Sequence, residues 1–502
     1  MLTAVGQITA IMARELAEAE GVCARPQLRR VTDRETGSVT RVALACGSTR
    51  ESVCPACAAK ARRLRMQQCA EGWHRTDEPE RDTGGISAST TDDGDTASIS
   101  DEAGSDTGGI TRGRRVRSTK RRQNVPELPH VPMSSRTIGV VFHGKDGREY
   151  RPSMFLTLTL PSYGAIRDGA PVSPGTYDYR RAALDAMLFP RLIDQFWKTL
   201  RRTAGFDVQY FSAVEPQRRL APHLHAAVRG AIPRRLLRQV VAATYLQVWW
   251  PASDQPLYTG RLPRWSGTDY VDPDTGEVLP SWAQALDHID NDSLARPAHV
   301  MRFGAQLDVQ GILRGQPDAD RAIRYLTKYI TKDIAGTHDD VQDDRHQAHV
   351  DRLHRELRYL PCSERCANWL RYGIQPKDAG PNLDPGFCDG KAHRREHLGL
   401  GGRRVLLSRK WSSKTLARHR ADRADVVRAA LESAGIVAPD TERMSADVHA
   451  SDGRPRFVWE PIERDHGTYA QVVMLAVAER RRWRAEYDTA RTIQQPRSAM
   501  PP

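Results

Sequence analysis

Two histidines, His223 and His225, are separated by a single residue in the stretch AVEPQRRLAPHLHAAVRG of this 502-residue chain. Side chains alternate between the two faces of an extended strand, so both imidazoles would lie on one face. Neutral imidazole is a common ligand of divalent metal ions. Glu215, on the preceding predicted strand 210–217, is our choice for the third ligand. The stretch predicts a metal site, although a chain with 16 histidines can contain such a pair by chance.

The helix predicted over residues 318–334 carries a second group of reactive side chains. At about 100° per residue, its apolar side chains gather on one face and its tyrosines and lysines nearly opposite. This polar group consists of Tyr325, Lys328, Tyr329 and Lys332. The plainer alternative is a solvated helix face with no chemical role.

Together the two groups could break a phosphodiester bond. A tyrosine attacks as the phenolate, and at a pKa of ~10 roughly one phenol in a thousand is ionised at pH 7. A neighbouring ammonium group offsets part of that deficit. A metal bound by His223, His225 and an acidic or amide oxygen would polarise the scissile phosphate. The products would be a phosphotyrosine and a free 3′-OH that a polymerase can extend.

Most of the eight cysteines fall into two groups. A Cys-x2-Cys pair closes readily on one metal ion, so the spacing predicts structural zinc sites, with reduced, packed cysteines as the alternative. The first group is Cys23, Cys46, Cys54 and Cys57. The second is Cys362, Cys366, Cys388 and His393, with His397 competing for the fourth position.

The charge and hydropathy of the chain favour a cytoplasmic protein that binds a polyanion. The net charge is +13 and the sequence pI is near 9.5, which favours nucleic acid over a membrane. The chain shows no export signal and no apolar run approaching the ~18 residues of a membrane span. A cytoplasmic location also favours metal ligation over disulfides for the cysteines.

The pattern of elements predicts an α+β fold. Alternation in MFLTLTL places Phe155, Thr157 and Thr159 on one face of a strand and leucines on the other. Helical spacing follows over 177–202, then the histidine hairpin, a helix expected over 233–249, and a strand at 306–309. This order indicates an antiparallel β-sheet backed by helices as the catalytic domain, with flanking zinc-binding and helical DNA-binding modules.

Composition suggests where the domains meet. Residues 76–135 contain few large apolar side chains and change from acidic to basic, which is typical of a disordered linker. The predicted segments are a zinc-knuckle module (1–75), the linker (76–135), the catalytic domain (136–340), a Cys/His module (341–402), a basic helical DNA-binding region (403–490) and a disordered tail (491–502).

Three ordered motifs, MFLTLT, VEPQRRLAPHLHAAV and YLTKYITK, resemble those of HUH endonucleases that initiate rolling-circle replication. The flanking stretches CGSTRESVCPAC, FGAQLDV and CSERCANWLRYGIQPK are similar to replication initiators of actinobacterial plasmids and integrative elements. The resemblance implies an HUH/RRM-like catalytic fold and site-specific nicking at a double-strand origin with Mg²⁺ or Mn²⁺. It also implies that His223 and His225 hold the metal and that Tyr329 is the nucleophile. Tyr325 would alternate with it at termination.

Partners and alternatives complete the expectation. The chain has no G-x-x-x-x-G-K-[ST] loop, so a host helicase and DNA polymerase are the expected partners at the origin DNA. A two-tyrosine HUH transposase and a zinc-stabilised DNA-binding regulator without catalysis stay open as alternatives, and a conjugative relaxase fits the motif order less well. The sequence does not determine the oligomeric state.

Overall fold

The computed structural model describes most of the chain outside the predicted linker. The described residues are 10–73, 75, 77–78, 126–143, 145, 147, 149–313, 317–328, 330–331, 344–435, 444–445, 447–462 and 466–494. Most residues of the predicted disordered linker and disordered tail lie outside them; residues 77–78, 126–135 and 491–494 are described.

The described helices and strands alternate along the chain. The helices are α1 (Ala10–Ala19), α2 (Pro55–Trp73), α3 (Tyr179–Ala204), α4 (Arg234–Ala243), α5 (Trp282–Asn291), α6 (Pro317–Lys328), α7 (Asp344–Tyr359), α8 (Leu416–Ser433) and α9 (His466–Gln494). The strands are β1 (Gln27–Asp33), β2 (Val39–Leu44), β3 (Phe142–His143), β4 (Glu149–Tyr150), β5 (Pro152–Leu158), β6 (Ile166–Arg167), β7 (Ala170–Pro171), β8 (Tyr210–Pro216), β9 (Pro222–Arg229), β10 (Tyr245–Val248), β11 (Arg264–Trp265), β12 (Tyr270–Val271), β13 (His299–Arg302), β14 (Leu307–Leu313), β15 (Val405–Leu407) and β16 (Phe457–Pro461).

The fold is mixed α/β with antiparallel sheets, and the chain divides into two compact units. The first unit comprises Met1–Gly72, Ile323–Asp333 and Ser412–Pro502, and it contains the three-stranded sheet β16-β1-β2. The second comprises Trp73–Ala322 and Ile334–Trp411. The domain boundaries drawn from composition stay a prediction.

The second unit is built on a five-stranded antiparallel sheet in the order β14-β5-β9-β8-β15. One face is apolar and packs against α3 in the main hydrophobic core, where Leu156, Leu158, Leu224 and Phe196 are fully buried. The opposite face carries Thr157, His225 and Ala213 in one row across neighbouring strands. The sheet therefore separates the core from a polar face.

Local signals explain the length of α3, which backs the sheet. Asp178 caps its first turn by accepting a hydrogen bond from the backbone N–H of Arg181. Gly205 follows the helix at φ 71°, a left-handed conformation that glycine adopts without steric cost. The predicted helix over 177–202 is confirmed to within two residues at each end.

Two predicted helices are shorter than expected. The helix expected over 233–249 ends at Ala243, because residues 245–248 form β10 and pair with β13. The β-branched and aromatic residues of TYLQV favour a strand once a partner strand is present. The helix expected over 318–334 begins at Pro317 and is described as far as Lys328, with residues 330–331 in a turn.

Candidate metal groups

The hairpin β8–β9 brings Glu215, His223 and His225 together. Glu215 is the direct cross-strand partner of His223, and His225 lies two residues further along β9. Side chains of paired residues in an antiparallel sheet share a face, so all three project from the polar face. The register of the hairpin thus places the side chains of all three residues close together.

The distances within this histidine group suit a divalent ion. The two Nε2 atoms lie 2.7 Å apart, and Glu215 Oε2 lies 4.0 Å from His223 Nε2 and 3.7 Å from His225 Nε2. Two ligands at right angles around one ion at ~2.1 Å would lie ~3.0 Å apart. Small side-chain adjustments therefore suffice for these three ligand atoms to share an ion.

Burial keeps the His225 ring neutral. The residue is 4% exposed, and burial together with the charge of His223 lowers its pKa to about 3. The neutral ring carries a lone pair at neutral pH, which metal ligation requires.

Thr157 on β5 orients the His225 ring. Its hydroxyl lies 3.0 Å from His225 Nδ1, and Phe155 stacks on the ring from the same strand. If Nδ1–H donates to this hydroxyl, the Nε2 lone pair is left for a metal, as is usual for ligating histidines. Sequence reasoning placed Thr157 on the correct face but did not connect it to His225, since strand pairing is invisible in a single strand.

The described part of α6 presents the amphipathic pattern expected from the sequence. Ile323 and Leu326 are buried, whereas Tyr325 is 41% exposed and Lys328 is exposed. Tyr329 and Lys332 lie outside the described residues. Tyr325 and Lys328 are counted with the first unit and the histidine group with the second, so a shared site stays a prediction.

The first cysteine group closes around a common centre in the first unit. Cys23 follows α1, Cys46 follows β2, and Cys54 and Cys57 flank the start of α2. The Sγ atoms of Cys46 and Cys57, and of Cys54 and Cys23, are 3.8 Å apart. Tetrahedral ligation at ~2.3 Å places two sulfurs ~3.8 Å apart, so the geometry fits zinc.

Thiolate character is favoured at one member of this group, Cys23. Hydrogen bonds from the Cys57 thiol and from the backbone N–H groups of Cys46 and Arg25 outweigh burial and lower the pKa of Cys23 to about 4. The thiolate is the form that binds metal.

The second group forms in the second unit with His393 in the fourth position. Cys362 and Cys388 Sγ are 4.0 Å apart, and Cys366 Sγ lies 3.5 Å from His393 Nε2. His393 Nδ1 is 2.7 Å from the carbonyl oxygen of Leu357, a second-sphere hydrogen bond that leaves Nε2 for a metal. The four ligand atoms of this group lie within 4.8 Å of one another, and His397 does not belong to the group.

A further group, Glu71, His419 and Asp422, could not be predicted from the sequence because Glu71 lies far along the chain from the other two. The Lys414 ammonium lies 3.3 Å from Glu71 Oε2 and 2.8 Å from Asp422 Oδ2. A lysine that bridges both carboxylates supplies the balancing cation, so we interpret this group as an ion-pair network.

The comparisons with known proteins agree with a role in replication. The family model RepSA, described as replication initiator protein, pSAM2, matches residues 10–479. The chain belongs to this family of replication initiators, which confirms the Rep-type resemblance. No curated protein and no solved structure matches the chain. Among the helices of the described residues, none is long and apolar enough to cross a bilayer.

Proposed function

We propose that this initiator nicks one strand of a plasmid or element origin by tyrosine transesterification. The observation that supports the proposal most is the histidine group, Glu215, His223 and His225, whose ligand atoms converge on the polar face of the sheet. Three protein ligands leave further coordination positions for a phosphate oxygen, as catalytic metal sites require.

The protein's own residues would perform the following steps. The phenolate of Tyr329 attacks the phosphorus atom, forming an O–P bond while the bond from phosphorus to O3′ breaks. The tyrosine proton is lost to solvent or to a base, and O3′ takes up a proton to become the 3′-OH. Lys328 and Lys332 favour the phenolate through their positive charge. Bound Mg²⁺ or Mn²⁺ would supply charge neutralisation at the phosphate.

Tyr325 takes the second transesterification in this proposal. It precedes Tyr329 by four residues, and the helix α6 that carries it is described as far as Lys328, one residue before Tyr329. A second attack would rejoin the displaced strand after one round of synthesis. Host helicase and polymerase would extend the 3′-OH, because the chain lacks a nucleotide-binding loop.

The cysteine groups have a structural role in this proposal. Each closes four protein ligands around one centre, which matches structural zinc rather than catalytic zinc. A protein of the same fold without catalysis would need these groups equally, so only the histidine group and the tyrosines separate an endonuclease from a DNA-binding regulator.

A nicking assay on supercoiled plasmid carrying the cognate origin tests the proposal. Wild-type protein with Mn²⁺ should form open circles and a covalent 5′-DNA adduct that survives denaturation. Tyr329→Phe should abolish the adduct, whereas Tyr487→Phe, a change at an exposed tyrosine of α9, should not. An adduct retained in Tyr329→Phe would disprove the nucleophile, and no nicking by wild-type protein would favour the regulator.

A further inference from the structure

A basic depression of about 330 Å³ lies beside the first cysteine group in the first unit. The depression lies next to the predicted zinc knuckle, and the chain has a net charge of +13. Both features favour an anionic ligand. The lining residues are Arg14, Ala24, Arg25, Ser52, Val53 and Tyr469.

Three parts of the first unit build this depression. Arg14 comes from α1, and Tyr469 from α9. Arg25 stands two residues after Cys23 and Ser52 two residues before Cys54, so the cysteine group fixes both loops. The Tyr469 hydroxyl donates to the carbonyl oxygen of Ala24 at 2.8 Å and joins α9 to the first loop. The backbone of both arginines is thus held by packed elements, while their side chains are exposed.

The charge at the depression is positive. No carboxylate lines it in the described residues, although Glu18 pairs with Arg14 at 3.1 Å on the exposed surface. Burial raises the pKa of the Tyr469 phenol. The charges of Arg14 and Arg25 act against that rise, whereas those of Cys23 and Glu18 add to it. Both guanidinium groups therefore act on the wall of the depression. Over residues 1–72, arginine and lysine number 11 and aspartate and glutamate 7.

We propose that this depression binds a backbone phosphate of duplex DNA. Guanidinium groups match phosphate oxygens with paired N–H donors, and the Ser52 hydroxyl can add a neutral donor. Such a contact would anchor the protein on the duplex without reading its sequence. The inference rests on the proposed function only in taking DNA as the ligand, since nicking is measured separately.

A competing explanation assigns Arg25 to the cysteines. Thiolates in the first group carry negative charge, and a nearby arginine could balance it without any ligand. The two explanations differ in what Arg25 changes, because a phosphate contact alters the salt dependence of DNA binding whereas charge balance alters metal retention.

Fluorescence anisotropy of the full-length protein with a labelled duplex of unrelated sequence, across a range of KCl concentrations, tests the proposal. Arg14→Gln and Arg25→Gln should each weaken binding and reduce the slope of log K against log salt by about 1. Arg25→Lys should keep the slope. Arg261→Gln, at an exposed arginine paired with Asp274 and outside the predicted DNA-binding region, is the matched control and should change neither the affinity nor the slope.

Two results would overturn the proposal. One is a wild-type slope in the Arg14→Gln/Arg25→Gln double variant, and the other is faster zinc loss to a chelator in Arg25→Gln with an unchanged slope. Melting curves of each variant establish that it folds. Nicking of a short single-stranded oligonucleotide should stay at the wild-type rate in both variants, so loss of duplex binding is distinguishable from failure of the proposed nuclease.

Discussion

The histidine group and the two cysteine groups hold their ligands in different ways. Glu215, His223 and His225 project from two paired strands whose positions the sheet already fixes. The cysteines come from loops and element ends whose backbone hydrogen bonds are local to each segment, such as those from the Cys54 N–H to Arg50 and from the Cys366 N–H to Ser363. The first arrangement is set by the sheet, whereas the second would depend on cross-linking by a metal ion. We therefore expect that removing metal from the histidine group would reduce activity, whereas removing it from the cysteine groups would reduce the stability of the fold.

The largest expected effect is loss of nicking at the histidine group. His225→Ala removes a ligand and should reduce nicking of origin plasmid to background, while the melting temperature changes little because the sheet stays paired. His449→Ala, at an exposed loop histidine, should keep full activity. A His225→Ala protein that nicks normally in Mn²⁺ would remove the histidine group from the chemistry.

Substitution in a cysteine group should have the opposite signature. Cys54→Ala should lower the free energy of unfolding by several kcal/mol, because structural zinc contributes its binding energy to folding. Denaturant unfolding with and without a zinc chelator measures this effect. Cys69→Ala is the matched control, since Cys69 is buried outside both groups and should cost only about 1 kcal/mol. Equal losses in the two variants would contradict a zinc site.

A smaller effect is expected from the residue that orients the ligand. Thr157→Val keeps the shape of the side chain but removes the hydroxyl beside His225 Nδ1. We expect the affinity for Mn²⁺, measured through the nicking rate, to fall about 10- to 100-fold. Activity should recover at high Mn²⁺ concentration. Thr159→Val, on the same face of the strand but directed at the carbonyl oxygen of Gln306, should leave the metal dependence unchanged. Titrations of nicking rate against Mn²⁺ concentration decide the point.

The smallest effect concerns a carboxylate with no role in a metal group. Glu78 accepts hydrogen bonds from the backbone N–H groups of Thr137 and Ile138 and from the Thr137 hydroxyl. Burial opposes ionisation, but these bonds prevail and lower its pKa below the usual 4.5. Its stabilisation is therefore present above pH 4.5 and is lost as pH falls through the folded pKa.

Glu78→Gln tests this linkage. The free energy of unfolding should fall by at most about 1 kcal/mol at neutral pH, since Glu78 as a whole is an exposed residue and solvent screens its charge. The difference from wild type should vanish in acid. Urea unfolding at several pH values measures both quantities, and a difference that grows in acid would contradict the assigned direction.

Much of this protein follows from its sequence alone. The alternation of MFLTLTL and of the histidine strand predicted two strands with defined faces, because the side-chain period of a strand is fixed. Cysteine spacing predicted which cysteines lie together, since the pairs Cys54/Cys57 and Cys362/Cys366 are brought close by short turns whatever the rest of the fold. The apolar periodicity of α6 likewise predicted the burial of Ile323 and Leu326.

Contacts that depend on pairing between distant segments could not be predicted from the sequence and are set by the tertiary structure. The register of β8 with β9 set Glu215 opposite His223, and the pairing of β5 with β9 set Thr157 against His225. Residues 245–248 form a strand because β13 supplies their hydrogen-bonding partners. His393 rather than His397 joined the second cysteine group because the chain brings its ring to Cys366. Local sequence patterns do not predict such contacts, because they form only when the segments pack against one another.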